Sequence, residues 1–300
     1  NAGSFISAGT PDLSAVMSLY TDENKALTNS SSAYVFYKNS IQPANSHYWK
    51  DMYQKIFMIN TAITGITTTS ANLKYKDQWL GECYFLRGFY YFYLVNIYGA
   101  VPLALTDDYT VNNKLFRSAE EDVYQQIVSD LKLAKAMLNT AYKDGNGMTT
   151  VNRFRPNKAV VSSLLARVYL YMKEWKKAEL EATEVINNTD YKLVALNDVF
   201  LANSKETIWC LATSTPKRTV FYTTYNNGMP ASLSGTQTPA NFAVTQATSD
   251  DLLNVFEVKD ARLTSWIRTV TKAATATQPA LTYQFPDKYK SAVNNAEYNV

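Results

Sequence analysis

The chain has 300 residues, of which 46% are hydrophobic and 18% charged, a composition typical of a globular protein and not of a disordered one. Its net charge of +3 is small and its basic residues are scattered, which argues against a nucleic-acid partner. One histidine and two cysteines offer no ligand spacing for a zinc site, so we expect neither a metal nor a cofactor.

The first elements alternate between helical and polar stretches. Residues 13–27 are predicted to form a helix, and residues 29–45 a polar loop that carries aromatic side chains. Helical periodicity returns over residues 49–66, with Trp49 and Tyr53 on one side. A polar linker then leads to the next helix.

Residues 79–105 place aromatic side chains on every face of a helix. A helix of this kind is predicted to be buried among neighbouring elements. Gly99 suits the position just past a helix end, and Pro102 prevents continuation. The stretch does not suit a membrane span, because Glu82 and Arg87 would lie in the hydrocarbon.

Two further helical segments follow. Ser118 and Glu121 have the spacing of a capping box, and they precede one apolar stripe from Val123 to Leu138. Residues 157–187 read as a helical hairpin broken after Met172. Such a hairpin has the spacing of small residues that a tetratricopeptide unit needs, and it must stack on neighbours to bury both faces.

The last third is irregular. Residues 206–212 are predicted to form a strand and residues 250–258 a short helix. Residues 213–247 are rich in Thr, Ser, Asn and Gly and far exceed an ordinary connection. Long loops of this kind commonly carry function.

We therefore predict a mainly α fold, a tetratricopeptide-like helical-repeat scaffold with long loops and a few short β-strands. The scaffold is expected over residues 1–200, including the hairpin at 157–187. Residues 201–300 are expected to form a loop-rich, ligand-facing region that packs on the scaffold as one globular unit.

The aromatic helix resembles the signature helix of the SusD/RagB family of nutrient-binding proteins. The matching residues, in order, are Glu82, Phe85, Leu86, Arg87, Tyr91, Phe92, Leu94, Tyr98, Gly99, Val101, Pro102 and Leu103. Gly88 stands where the family usually has Ala. Weaker similarities at residues 49–66, 260–262 and 287–289 extend the resemblance over most of the chain, and the last of them implies a strand at 287–289.

The resemblance implies a lipoprotein on the cell-surface face of the bacterial outer membrane, attached through a lipid anchor upstream of residue 1. It implies capture of oligosaccharides and their delivery to a SusC-like TonB-dependent transporter. Family members also continue through a C-terminal helical stretch, which we expect this chain to lack.

The chemistry of the chain favours binding and not catalysis. The single histidine limits any catalytic triad, and paired acids such as Asp107 and Asp108 are adjacent and point in different directions. We therefore expect no enzyme activity. A glycosidase assembled from distant carboxylates is the least favoured interpretation.

Several tyrosines lie in polar loops, where an exposed ring beside Asn can stack on a sugar. These are Tyr34, Tyr37, Tyr109, Tyr222 and Tyr225. The predicted ligand-binding residues are Tyr222, Tyr225, Asn226 and Asn227 in the long loop, followed by Tyr37 and His47. For any single tyrosine, anchoring of its own loop to the scaffold is the favoured explanation, and only the set as a whole points to a ligand.

Two alternatives remain open. A relative that binds peptides would have an apolar, extended cleft without a stacking platform. A generic helical-repeat interaction protein would have more regular repeats and a short connection in place of residues 213–247.

Overall fold

The computed structural model describes residues 13–43, 47–201, 204–210 and 220–289. The fold is mainly α with a few short strands, as predicted. The helices are α1 (Leu13–Tyr20), α2 (Tyr34–Tyr37), α3 (His47–Thr68), α4 (Lys76–Tyr98), α5 (Tyr109–Asn112), α6 (Glu120–Met137), α7 (Lys158–Tyr171), α8 (Trp175–Ile186), α9 (Val220–Tyr225), α10 (Asp250–Asn254) and α11 (Ala261–Trp266). The strands are β1 (Asn24–Ala26), β2 (Ser232–Leu233), β3 (Gln246–Thr248), β4 (Ile267–Lys272) and β5 (Leu281–Pro286).

Helix α4 is the centre of the scaffold, and its burial confirms the prediction from its aromatic composition. It packs between α3 and α6, with Phe85, Tyr91 and Leu94 almost fully buried. A Cβ atom added at Gly81 would lie 2.8 Å from Leu138 Cγ, so the absence of a side chain there lets α4 and α6 approach closely. The helix ends at Tyr98, and Gly99 follows with φ +68°.

The predicted hairpin is also present, as α7 and α8. Asn157 caps α7 by accepting a hydrogen bond from the Val160 amide at 3.0 Å. Lys173, with φ +61°, reverses the chain between the two helices. Lys135 on α6 pairs with Glu181 and Glu184 on α8, which ties the hairpin to the rest of the scaffold.

Several local predictions are wrong at the ends of the scaffold. The first helix stops at Tyr20 instead of residue 27, because Asp22 takes φ +61° and the chain enters β1, which pairs antiparallel with β3. The loop at 29–45 contains α2. The capping box at Ser118 does not form, since the Ser118 amide donates to the Val101 carbonyl and Ala119 precedes α6.

The last third contains more regular structure than its composition indicates. Residues 206–210 are not a strand, and residues 211–212 lie outside the described part of the chain. The predicted strand at 287–289 follows the real one, β5, and the helix predicted over 250–258 ends at Asn254. Within 220–247 lie α9, β2, a 3-10 turn (Pro239–Phe242) and β3. Strand β4 pairs parallel with β2 and antiparallel with β5.

The last third contacts the scaffold at several points. Trp209 packs edge-on against Phe85 and Phe89 of α4, at ring distances of 5.2 and 5.3 Å. Its indole donates to the Phe154 carbonyl, and the Trp266 indole donates to the Leu196 carbonyl. The division of the chain near residue 200 stays a prediction.

Candidate ligand-binding surface

Tyr222 and Tyr225, the first two predicted ligand-binding residues, are only 6% and 4% exposed. The Tyr225 hydroxyl accepts a hydrogen bond from the Asn24 amide at 3.0 Å and lies 3.4 Å from the Ser18 hydroxyl. The phenol therefore anchors α9 to α1 and β1. The expectation of an exposed stacking platform at these two positions is wrong, while any part they take in binding a ligand stays a prediction.

The two neighbouring asparagines close the turn after α9. Asn227 has φ +43°, and its side-chain amide donates to the Phe242 carbonyl at 2.7 Å. Asn226 is half-buried at the C-terminal end of the helix. Asn227 thus binds the segment that follows the turn, and Asn226 remains partly accessible to solvent.

The second group of predicted residues is divided between two places. Tyr37 is half-buried on α2, where its ring lies 6.0 Å from that of Tyr34. Because α2 packs against α1 and β1, the structure brings Tyr37 to the elements that also hold Tyr225. His47 begins α3, and its side chain lies outside the described part of the structure.

Four exposed hydrophobic side chains, two of them aromatic, lie in the segment between α4 and α6, which we call the α5 surface: Leu105, Tyr109, Val111 and Phe116. The Tyr109 side chain is 69% exposed and Phe116 is 89% exposed. Asp108 accepts hydrogen bonds from the Thr110 amide and hydroxyl at 2.8 and 2.7 Å, and so starts α5. Sequence reasoning placed Tyr109 among the loop tyrosines but did not select it.

The backbone just before the α5 surface is held rigidly by the scaffold. Asn60 on α3 donates to the Ala104 carbonyl at 2.8 Å and to the Thr106 carbonyl at 3.1 Å. The Tyr91 hydroxyl on α4 also donates to Ala104. These contacts fix the direction in which the segment leaves the scaffold, and a fixed segment presents its aromatic rings at little entropic cost.

A buried ion pair holds Asn60, the residue that fixes this backbone segment. Arg87 donates to both carboxylate oxygens of Asp130, at 2.8 and 2.7 Å, and its third nitrogen donates to Asn60 Oδ1 at 3.0 Å. Burial lowers the pKa of Arg87, but the hydrogen bonds and charge of Asp130 outweigh that effect and leave the pKa raised. The Arg87 guanidinium therefore stays charged, and its contact with Asn60 Oδ1 orients the Asn60 amide toward the Ala104 and Thr106 carbonyls.

Asp108 itself is not shaped for proton transfer. Its hydrogen bonds with Thr110 hold the pKa of the carboxyl below its usual range, and the group is fully exposed. Glu82, the acid of the signature helix, pairs with Arg155. Asp108 therefore lacks the raised pKa of a general acid.

No helix of the described residues is both long and apolar enough to cross a bilayer. Residues 7–170 match a family model, SusD-like_3, described as "Starch-binding associating with outer membrane". That match takes in more than half of the chain.

Individual relatives agree with the family model. The SusD-like protein P2 of Formosa agariphila is 31% identical over 146 residues, which are 48% of this chain and 27% of that protein. A SusD superfamily protein from Parabacteroides distasonis has the same fold, with a TM-score of 0.71 at 19% identity over 94% of this chain and 64% of that one. A laminarin-binding SusD-like protein gives a TM-score of 0.67 at 19% identity, over 87% of this chain and 62% of that one. The chain thus spans about a quarter of the curated relative and under two-thirds of the solved ones.

Proposed function

Because this chain belongs to the SusD-like family, we propose that it binds oligosaccharides at the cell surface and passes them to an outer-membrane transporter without cleaving them. The observation that carries the proposal is the α5 surface. It presents Tyr109 and Phe116 to solvent from a segment whose backbone the buried Asn60 network fixes.

The chemistry of the α5 surface suits a neutral sugar. A sugar has apolar C–H faces and a ring of hydroxyls, so it is complemented by an aromatic ring with hydrogen-bonding groups beside it. Tyr109 provides the ring, and Asp108 and Thr110 beside it are exposed polar groups. Tyr37 and Asn226 are the partly accessible members of the predicted site and would form a second, separate contact region.

Binding without hydrolysis is consistent with the structural roles of three acidic side chains. Asp130 neutralises Arg87 in the core, Glu82 pairs with Arg155, and Asp108 starts a helix. A glycosidase needs two carboxyls across one sugar bond, one of them with a raised pKa. These three acids serve the fold instead.

The remaining parts of the proposal follow from the family. The partner is a SusC-like TonB-dependent transporter, and the protein lies on the outer face of the outer membrane, attached by a lipid anchor upstream of residue 1. Closure of the transporter over the bound sugar would favour the loaded complex only if contacts differ between the open and closed states.

Calorimetry with laminarihexaose tests the site. Tyr109→Ala is expected to weaken binding about tenfold, the loss of roughly one aromatic contact, without a change in the free energy of unfolding. Tyr171→Ala, another exposed tyrosine, on α7, is the matched control and should leave the affinity unchanged.

Two results would separate the possible sites. Tyr225→Phe keeps the buried ring and removes the hydroxyl that binds Asn24. If this variant loses affinity for laminarihexaose and Tyr109→Ala does not, the binding site lies at α9 and not at the α5 surface. Release of shorter sugars during incubation would contradict the non-catalytic role. Binding of extended peptides, with none of glycans, would favour the peptide-binding alternative.

A further inference from the structure

Helix α3 carries a row of aromatic side chains that is separate from the α5 surface. Trp49, Tyr53 and Phe57 follow one another at every fourth position, about 6 Å apart along the helix axis. A second row runs beside it, formed by Lys50, Gln54 and Met58. Together with Lys55 they line an open depression of about 610 Å³, which we call the α3 groove.

The aromatic row is held in place. The Trp49 ring lies 5.0 Å from Tyr53 and 5.2 Å, edge-on, from Tyr98, and the Arg117 guanidinium lies 5.0 Å from the Trp49 ring. The Tyr53 hydroxyl donates to the Pro102 carbonyl at 2.7 Å. Trp49 and Tyr53 are therefore rigid, and further along the row Phe57 is 46% exposed.

The charge of the α3 groove is positive. Lys50 is exposed and Lys55 half-buried in its lining, and Arg117 is exposed at the Trp49 end. Asp51 lies four positions before Lys55 and so on the same face of α3, but it is not among the residues that line the groove, whereas Lys50 and Lys55 are.

The groove is shaped for an extended ligand. Every residue that lines it comes from α3, so the described structure gives it one wall and not the two-helix cleft that holds a docked helix. The rings are spaced along the helix axis at about the length of one sugar unit, and a primary amide and two ammonium groups lie beside them. This arrangement matches a linear chain of sugars.

From these observations we propose that the α3 groove binds an acidic oligosaccharide, one bearing carboxylates or sulfates, along the helix axis. The rings contact the sugar faces, while Lys50, Lys55 and Arg117 pair with its anionic groups. The inference rests on the proposed function, and it names the class of glycan and a site distinct from the α5 surface.

Calorimetry with two oligosaccharides of equal length, hexagalacturonate and laminarihexaose, tests the assignment. Lys50→Gln/Lys55→Gln is expected to weaken hexagalacturonate binding about tenfold, the sum of two exposed ion pairs, and to change laminarihexaose binding little. Phe57→Ala should weaken hexagalacturonate binding about tenfold. Added NaCl should reduce the wild-type affinity more than that of the double lysine variant.

The control is Lys132→Gln on α6, an exposed lysine far from α3 in sequence, which should leave both affinities unchanged. Equal affinity of wild type and the α3 variants for hexagalacturonate would overturn the proposal. Binding of polyglutamate as tight as that of hexagalacturonate would also overturn it, because the ligand would then be an acidic polypeptide. If Tyr109→Ala still weakens laminarihexaose binding about tenfold, the proposed function stands even though the α3 groove proposal has failed. If the wild type binds neither sugar, both fail.

Discussion

Removal of the Asp130 charge tests whether the buried ion pair beside Asn60 stabilises the scaffold. Asp130 is fully buried and accepts hydrogen bonds from Arg87 at 2.8 and 2.7 Å and from Gln126 at 2.9 Å. In Asp130→Asn the buried guanidinium loses its counter-charge, which costs about 3–5 kcal/mol of unfolding free energy. Urea unfolding followed by tryptophan fluorescence measures the loss.

The matched control is an exposed pair on the surface of the hairpin. Lys177 and Glu174 lie 3.2 Å apart with about half of each side chain exposed, so Glu174→Gln should cost less than about 1 kcal/mol. Arg87→Met/Asp130→Leu, which removes both charges, should be less destabilising than Asp130→Asn. If Asp130→Asn costs no more than the control, the buried pair does not stabilise the scaffold as reasoned.

Three other perturbations follow from the packing. Gly65 on α3 has open space around an added Cβ, so Gly65→Ala should raise the unfolding free energy by about 0.5–1 kcal/mol. Gly81→Val should instead lower it by about 1–3 kcal/mol, because the new side chain meets Leu138; urea unfolding distinguishes the two, and equal shifts would contradict the close α4–α6 contact. Burial raises the pKa of Cys83 and of Cys210 to about 11 from an ordinary value of 9.0. Their contribution to stability is therefore complete below pH 9 and declines as the pH rises to about 11, since the unfolded thiols ionise first. Unfolding measured across this range should show a weaker decline in Cys83→Ala/Cys210→Ala, and an identical decline would exclude the thiols as its cause.

The scaffold was accessible from the sequence because its signals are local. Helix α4 is marked by aromatic residues on all its faces, and Gly99 marks its end. The hairpin of α7 and α8 is marked by apolar periodicity with a break near Lys173. These features act within one or two helical turns, so a linear pattern specifies them.

The strands of the last third were harder to place, because pairing partners lie far apart in the chain. β1 is three residues long and is stabilised by β3, more than two hundred residues later. β5 has apolar residues at alternate positions, which a period-two search could have found, but β4 does not alternate and β2 adds only two residues to that sheet. Short strands carry too few residues for a pattern to separate them from loops.

The sequence by itself determined that this protein is a helical scaffold of the SusD-like type with aromatic residues in its loops. Only the tertiary structure decided which of those residues are exposed. Tyr225 is buried against residues distant in sequence, where its hydroxyl accepts a hydrogen bond from Asn24 and lies beside the Ser18 hydroxyl. Tyr109 stays exposed on a segment whose backbone is held by Asn60. Exposure depends on which distant groups fold against a side chain, and composition alone does not record those contacts.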